Sequence, residues 1–215
     1  MYDAIILCGG KGKRTNLSYN KIFYPLNNRP LITYTVAPFL LDKDCENVII
    51  VYQEEDYLKL NELLKDEKIR YTKGGVERFD SVENGLKVSK SEYVLIHDGA
   101  RPNVTMKLLD NIKAGMLKYS NAIPKVNVTD TIYNAKEKCY VERSNFYLIQ
   151  TPQAFKKDEI IKAYKLKEND FYTDDSMIYE KYINKSLHFI DGDKNNFKFT
   201  TVDDGVLLEG VLKCA

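Results

Sequence analysis

The stretch ILCGGKGKRTNLSYNK, residues 6 to 21, gathers cationic and conformationally free residues in one place. Gly9, Gly10 and Gly12 are interleaved with Lys11, Lys13 and Arg14, and Lys21 closes the run. No Asp or Glu occurs between Asp3 and Asp42, so nothing local balances this charge. Glycines let a backbone approach a ligand and leave amide N–H groups to face it, and nests of such amides hold phosphate oxygens. Side-chain cations then add charge, and a triphosphate fits the combination. The pattern is not a Walker loop, because Gly12 is followed by Lys13 and Arg14, nor a dinucleotide fingerprint, whose third glycine would stand at Thr15. Without that fingerprint and its acidic ribose partner, a nicotinamide oxidoreductase is disfavoured.

Three further stretches carry candidate chemistry. In LIHDGARP, Asp98 ends an apolar run and is followed by Gly99 and Arg101. An acid there could hold Mg²⁺, which takes one or two carboxylates plus substrate phosphates, or bind a substrate hydroxyl, or cap its own turn. His97 is expected to face the core or a hydrogen bond rather than a metal. In GGVERFDSVENGL, Gly74, Gly75 and Ser81 could hold a flat base, while Glu77 and Asp80 are read as stabilising a helix start. In NFKFTTVDDG, Lys198 precedes Thr201 and Asp204 at N-cap and N3 spacing. Thr173, Asp174 and Asp175 are read as caps too, with assistance to a metal as the alternative.

The elements that must position these residues follow from apolar patterning. Residues 3–8, 47–52, 69–75 and 93–98 are short runs, apolar for most of their length, as burial on both faces of a parallel sheet requires. Between them, and again at 105–120, 156–166, 173–183 and 201–213, helix-period spacing recurs; Phe79, Val82 and Leu86 share one face, as do Met106, Leu109, Ile112 and Met116. The order predicts an α/β fold, a Rossmann-like open, mostly parallel sheet flanked by helices with right-handed crossovers. Residues 125–150 hold two strand-like pieces around a polar NAKEK, read as a β-hairpin arm, and residues 1–215 are read as a single domain.

The totals bound the partners. With 32 basic and 31 acidic residues the net charge is +1, which gives no reason to expect nucleic acid or an anionic membrane. Cys8, Cys45, Cys139 and Cys214 form no C-x-x-C pair, and with two histidines neither a zinc site nor a disulfide framework is expected. The opening MYDAIILCGG lacks the pattern of a targeting segment, and no apolar run approaches about 18 residues. A cytoplasmic protein is expected.

Taken together, GGKGKR with Lys21, GGVERFDSVENGL, HDGARP, VTDTIY, ERSNFYLIQTPQAF and NFKFTT resemble, in order, the 2-C-methyl-D-erythritol 4-phosphate cytidylyltransferases, from residue 3 to about 212. The resemblance implies a fold of the nucleotide-diphospho-sugar transferase type, CTP as co-substrate, Mg²⁺ and a homodimer. It implies that Arg14, Lys21 and Lys198 are catalytic, and that Gly9, Gly10, Gly12, Lys13, Gly75 and Ser81 hold the nucleotide. It further implies that Asp98 and Arg101 contact the sugar phosphate, and that Thr131 and Arg143 of the arm reach the neighbouring subunit's substrate. Three positions depart from the family: Asn20-Lys21 replaces its usual Pro-Lys, Cys8-Gly9-Gly10 its Ala-Ala-Gly, and Val76 a common acid. LCGG is also similar to the ribitol-5-phosphate cytidylyltransferases, whereas RFDSV, VTDT and QTPQAF lean toward the isoprenoid enzymes. The alternatives are therefore another polyol phosphate as acceptor, or a CTP-binding regulatory protein without turnover. A phosphate monoester has a second pKa near ~6, so such an acceptor is already a dianion and needs no base, in keeping with the scarcity of histidine.

Overall fold

The computed structural model describes residues 1–10, 15, 17–168 and 172–213. In chain order the elements are β1 (Tyr2–Leu7), β2 (Pro25–Leu26), β3 (Arg29–Pro30), α1 (Leu31–Leu41), β4 (Cys45–Tyr52), α2 (Tyr57–Leu63), β5 (Ile69–Lys73), α3 (Arg78–Val88), β6 (Tyr93–Asp98) and α4 (Met106–Tyr119). They continue with β7 (Asn121–Asn127), β8 (Ile132–Asn134), β9 (Cys139–Val141), β10 (Tyr147–Ile149), β11 (Gln153–Lys156), α5 (Lys157–Leu166), α6 (Asp175–Ile183), β12 (Phe189–Asp191) and α7 (Asp203–Lys213). Among the described residues the main sheet runs β10-β7-β11-β6-β1-β4-β5, with β12 pairing β7. The block β6-β1-β4-β5 is parallel, and β11 lies antiparallel to both β6 and β7. The mostly parallel α/β sheet expected from the apolar runs is therefore present.

Alternation within each strand explains why those runs are apolar throughout. Ala4, Ile6, Val48, Ile50 and Leu95 enter one core layer with Val36 and Phe39 of α1, Leu60 of α2 and Leu109, Ile112 and Met116 of α4. Ile5, Ile49, Val51, Val94 and Ile96 enter the opposite layer with Val82 and Leu86 of α3, Ile160 of α5 and Ile178 and Tyr179 of α6. Each strand thus buries both faces. The chain moves outward from β1 through β4 to β5, then returns across β1 to β6, and that reversal puts the ends of β1 and β6 at the point where ligands bind in open α/β sheets.

One crossover departs from expectation. The β6–α4–β7 connection runs in the sense opposite to β1–α1–β4, yet α4 packs on the same face as α1, so the two crossovers have opposite hands. Its place on that face is fixed by the apolar stripe Leu108, Leu109, Ile112 and Met116 and by Lys113, which reaches Asp42 (3.0 Å) and Asp44 (2.9 Å) beyond α1. Thr105 caps the start of α4 through Leu108 N–H, and Ser120 ends it in the left-handed region (φ 68°), turning the chain directly into β7. The sequence EEDYLKLNELLKDE forms a shorter helix than its pattern predicts, because Glu54–Asp56 is a separate 3₁₀ turn. The hairpin is present as β8 paired with β9, Tyr133 opposite Tyr140, and stands apart from the main sheet. No helix among the described residues is long and apolar enough to cross a membrane.

Candidate active site

Loops leaving β1, β4, β5 and β6 enclose a cavity of about 290 Å³ at the reversal point. Gly9 and Gly10 come from the first loop, Gln53 from the second, Gly75 to Arg78 and Ser81 from the third with the start of α3, and Asp98 with Gly99 from the fourth. Gly75 is required where it stands, since a Cβ there would lie 2.0 Å from Asp80 Cβ. Its N–H donates to Ser81 Oγ (3.1 Å), and that hydroxyl donates to the carbonyl of Glu77 (3.2 Å), so the two residues expected to hold a base lock each other onto the first turn of α3. Glu77 and Asp80 form a capping box there, as their spacing predicts.

Lys21 enters from a 3₁₀ turn, Lys21–Phe23, and is 8% exposed. Its Nζ donates to the carbonyl of Phe199 (2.7 Å), the residue that follows Lys198, and both lysines line the cavity. Lys198 Nζ lies 2.8 Å from Asp98 Oδ2, and Arg101 Nε lies 3.5 Å from the same oxygen without making a hydrogen bond. Burial pushes the Asp98 carboxyl up, but Lys198, Arg78 and Arg101 outweigh it and hold the group well below the usual carboxylate range.

A second cavity of about 360 Å³ abuts the first and shares Arg78, Asp98 and Lys198 with it. Arg101, Ile149, Thr151 and the segment Thr173, Asp174, Ser176 and Met177 complete its wall. His97 organises this side without facing it. It is fully buried, and burial pushes its pKa down to about 4, so the ring is neutral at pH 7. Asp98 N–H donates to Thr151 Oγ1 (3.1 Å), whose hydroxyl is 2.9 Å from His97 Nδ1, while His97 Nε2 is 3.1 Å from the carbonyl of Arg101. The Arg101 carbonyl can only accept, so Nε2 carries the proton, and in the neutral ring Nδ1 accepts from the Thr151 hydroxyl. The expectation of a hydrogen-bonded core histidine holds.

Arg78 is the residue that sequence reading missed. It opens α3 and makes a two-pronged ion pair with fully buried Asp175 (2.9 and 2.6 Å), 97 residues away. Asp175 also accepts from the hydroxyl of Tyr164, and Asp174 caps α6 and receives Gln153 Nε2. These acids thus hold protein groups, and Asp174, not Thr173, is the cap. A signal for Arg78 existed, because a cation at a helix's first position opposes the dipole unless an anion compensates it. Gln53 and Thr151 carried no such signal.

Of the expected site residues, Gly9, Gly10, Lys21, Gly75, Ser81, Asp98 and Lys198 line the first cavity, and Asp98, Arg101 and Lys198 the second. Thr131 and Arg143 line neither. Lys11, Gly12, Lys13 and Arg14 lie outside the described residues. No group of three or more His, Cys, Asp or Glu side chains among the described residues is placed to hold a metal ion. Asp98 can offer one carboxylate, which fits a Mg²⁺ held mainly by phosphate oxygens and not one caged by protein.

Known proteins match along nearly the whole chain. A family model described as 2-C-methyl-D-erythritol 4-phosphate cytidylyltransferase matches residues 2–213. A protein of that name from Bacillus mycoides (strain KBAB4) is 36% identical over 99% of this chain and 98% of its own length. Another from Geobacillus kaustophilus (strain HTA426) is 38% identical over 98% of this chain and 96% of its own. The crystal structure of 4-diphosphocytidyl-2C-methyl-D-erythritol synthase from Anaerococcus prevotii DSM 20548 superposes with a TM-score of 0.85 at 28% identity, covering 99% of this chain and 98% of that one.

Proposed function

The chain belongs to the 2-C-methyl-D-erythritol 4-phosphate cytidylyltransferase family, and from that premise we propose how its two cavities divide the reaction. The activity is transfer of CMP from CTP to 2-C-methyl-D-erythritol 4-phosphate, yielding 4-diphosphocytidyl-2-C-methyl-D-erythritol and pyrophosphate for isoprenoid precursor synthesis. In our reading the first cavity takes CTP, with cytosine against Gly75 and Ser81 and the phosphates toward the Gly9–Gly10 loop. The second takes the sugar phosphate, with its polyol toward Asp98 and Arg101. The observation that carries this division is that Arg78, Asp98 and Lys198 line both cavities, so that charged side chains form the boundary where the two phosphates must meet.

An oxygen of the acceptor's phosphate dianion forms a bond to the α-phosphorus of CTP. The bond from that phosphorus to the bridging oxygen breaks, and pyrophosphate leaves with the electron pair. No proton moves at the start, so the obstacle is repulsion between anions, and preorganised cations answer it. Lys21 and Lys198 supply that charge, with Arg14 assigned to the same task by the family resemblance of GGKGKR. Asp98 keeps Lys198 directed at the boundary. A divalent cation, held by triphosphate oxygens and by at most one oxygen of Asp98, would neutralise phosphate charge and polarise the α-phosphorus.

The whole chain is read as one catalytic unit with an arm. Tyr133, Tyr140, Phe146, Tyr147 and Leu148 are exposed on or beside that arm. Burying them in a second copy of the chain would let Thr131 and Arg143 reach the partner's acceptor cavity, which they do not line in their own chain. Unpaired thiols at buried Cys8 and Cys45 and exposed Cys139 support a reducing, cytoplasmic setting. The test is pyrophosphate release from CTP and Mg²⁺ with 2-C-methyl-D-erythritol 4-phosphate and, separately, ribitol 5-phosphate. Release with the first acceptor and at least tenfold less with the second is expected; preference for ribitol 5-phosphate overturns the acceptor assignment.

A further inference from the structure

Asn20 stands immediately before Lys21, at the N-cap of the turn that carries it. Its side-chain amide is fully engaged. Oδ1 accepts from the N–H of Ile22 (3.3 Å), while Nδ2 donates to the carbonyl of Cys8 (2.7 Å), just past β1, and to Oδ2 of Asp56 (2.7 Å). The orientation of the amide is settled by these partners, since a carbonyl and a carboxylate accept and a backbone N–H donates. One side chain therefore ties the lysine's turn to the end of the first strand and to the 3₁₀ turn Glu54–Asp56. That turn follows directly on Gln53, itself a wall of the nucleotide cavity, and Asn20 lines the same cavity.

Asp56 is 8% exposed, although it carries a charge in a small turn near the surface. Burial and nearby Glu55 push its carboxyl up, while Asn20 and Lys59 pull it down. The buried Cys8 thiol faces it from the β1 side and is itself pushed up, first by burial and then by Asp56. Lys59, the nearby cation, also lies over the Phe23 ring, 4.2 Å from its centroid, and the short contact to the carboxylate is made by the neutral amide of Asn20. A desolvated carboxylate whose hydrogen bond goes to an amide beside the site is placed for orientation rather than for solubility.

We propose that Asp56 and Asn20 are a positioning pair for the transfer reaction: the carboxylate fixes the Asn20 amide, and the amide sets the turn from which Lys21, in the wall of the first cavity, reaches the Phe199 carbonyl. The inference rests on the catalytic reading of Lys21. Neither member touches the reacting atoms. Their effect is on where the lysine's charge sits, and a displacement of about 1 Å in such a group can cost on the order of 10² in rate.

The test uses the full chain, with CTP, Mg²⁺ and 2-C-methyl-D-erythritol 4-phosphate, and reads kcat and both KM values separately. Asn20→Asp sets a carboxylate against Asp56 and against the Cys8 carbonyl, and kcat at pH 8 is expected to fall about 30-fold with each KM within about threefold. Adding Asp56→Asn restores a complementary pair and should recover about tenfold of that loss, which a merely structural defect would not do. Asp56→Ala decides on the same split if Asn20→Asp does not fold, with an expected loss of about tenfold in kcat. Single variants within twofold of wild-type kcat, a change in KM alone, or a loss that the swap leaves unrelieved would each overturn the pair. Wild-type turnover in the same assay separates the two readings, because no pyrophosphate from the unaltered enzyme would sink the catalytic assignment itself.

Discussion

The two cavities are built by different means. The side assigned to the nucleotide is made mainly of short loops at the ends of neighbouring parallel strands, and the loop assigned to the base is locked by local contacts: Gly75 with Ser81 six residues on, Glu77 with Asp80 three residues on. The acceptor side is assembled from distant segments, with Arg78 on Asp175 across 97 residues, Arg101 on the carbonyl of Asn196 across 95 (2.8 Å), and Asn196 on the carbonyl of Thr151 across 45 (2.8 Å). A loop on a rigid strand end presents its amides to whatever phosphate arrives, whereas a wall of buried ion pairs presents a fixed shape. The nucleotide side is therefore expected to set affinity for CTP, and the acceptor side to set which alcohol phosphate is used.

The sharpest challenge is at the shared boundary. Lys198→Ala should lower turnover by about 10²–10³-fold in pyrophosphate release while the thermal midpoint moves little, since Lys198 is partly exposed. A loss confined to the KM of one substrate would mean that the cavities do not meet at that residue. Next is the acceptor wall. Asp175→Ala strips the buried partner from Arg78 and should cost about 3 kcal/mol in chemical denaturation, with the KM of the sugar phosphate rising more than that of CTP. Equal effects on both would erase the distinction between the sides.

The third test is pH. His97 titrates near 6.5 when unfolded and near 4 when folded, so between these values the unfolded chain takes a proton that the native one refuses. Stability from this group is complete above pH 6.5, declines as pH falls toward 4 and levels off below, by about 3 kcal/mol in total. Urea midpoints at pH 7, 5 and 4 should show a steeper decline for wild type than for His97→Gln, and parallel lines would refute the neutral ring. The smallest effect is expected on the nucleotide side. Gly75→Ala forces the loop away from Asp80 and should raise the KM for CTP about tenfold with little change for the acceptor, at a stability cost of about 1–3 kcal/mol.

The same contrast explains what could be read from the sequence. Ile5, Ile49 and Ile96, each in a run apolar throughout, announced a sheet buried on both sides, and glycines after β1 and β5 marked the ends where a ligand would sit. Local spacing also sufficed for Glu77 with Asp80 and for Asp204, whose carboxylate accepts from the N–H groups of Thr200 and Thr201. The contacts of Arg78, Thr151 and Asn20 escaped because their partners are remote: the sequence can flag a residue, but a buried counter-ion 97 positions away leaves no periodicity that names it. The hand of the α4 crossover escaped because an apolar stripe marks the face a helix buries but not the side of the sheet it covers, and Lys113 meets Asp42 and Asp44 only once that side is chosen.

Because β11 lies between β6 and β7, the strand that bears Asp98 has β1 on one flank and, until residues 153–156 arrive, nothing on the other. A nascent chain leaving the ribosome therefore carries an open, apolar edge at Val94, Leu95 and Ile96 for some fifty residues of synthesis. Such edges recruit foreign strands. Truncated or stalled products ending short of Gln153 should aggregate or call on chaperones. Asp175, which anchors Arg78, and Lys198, which lines both cavities, arrive later still.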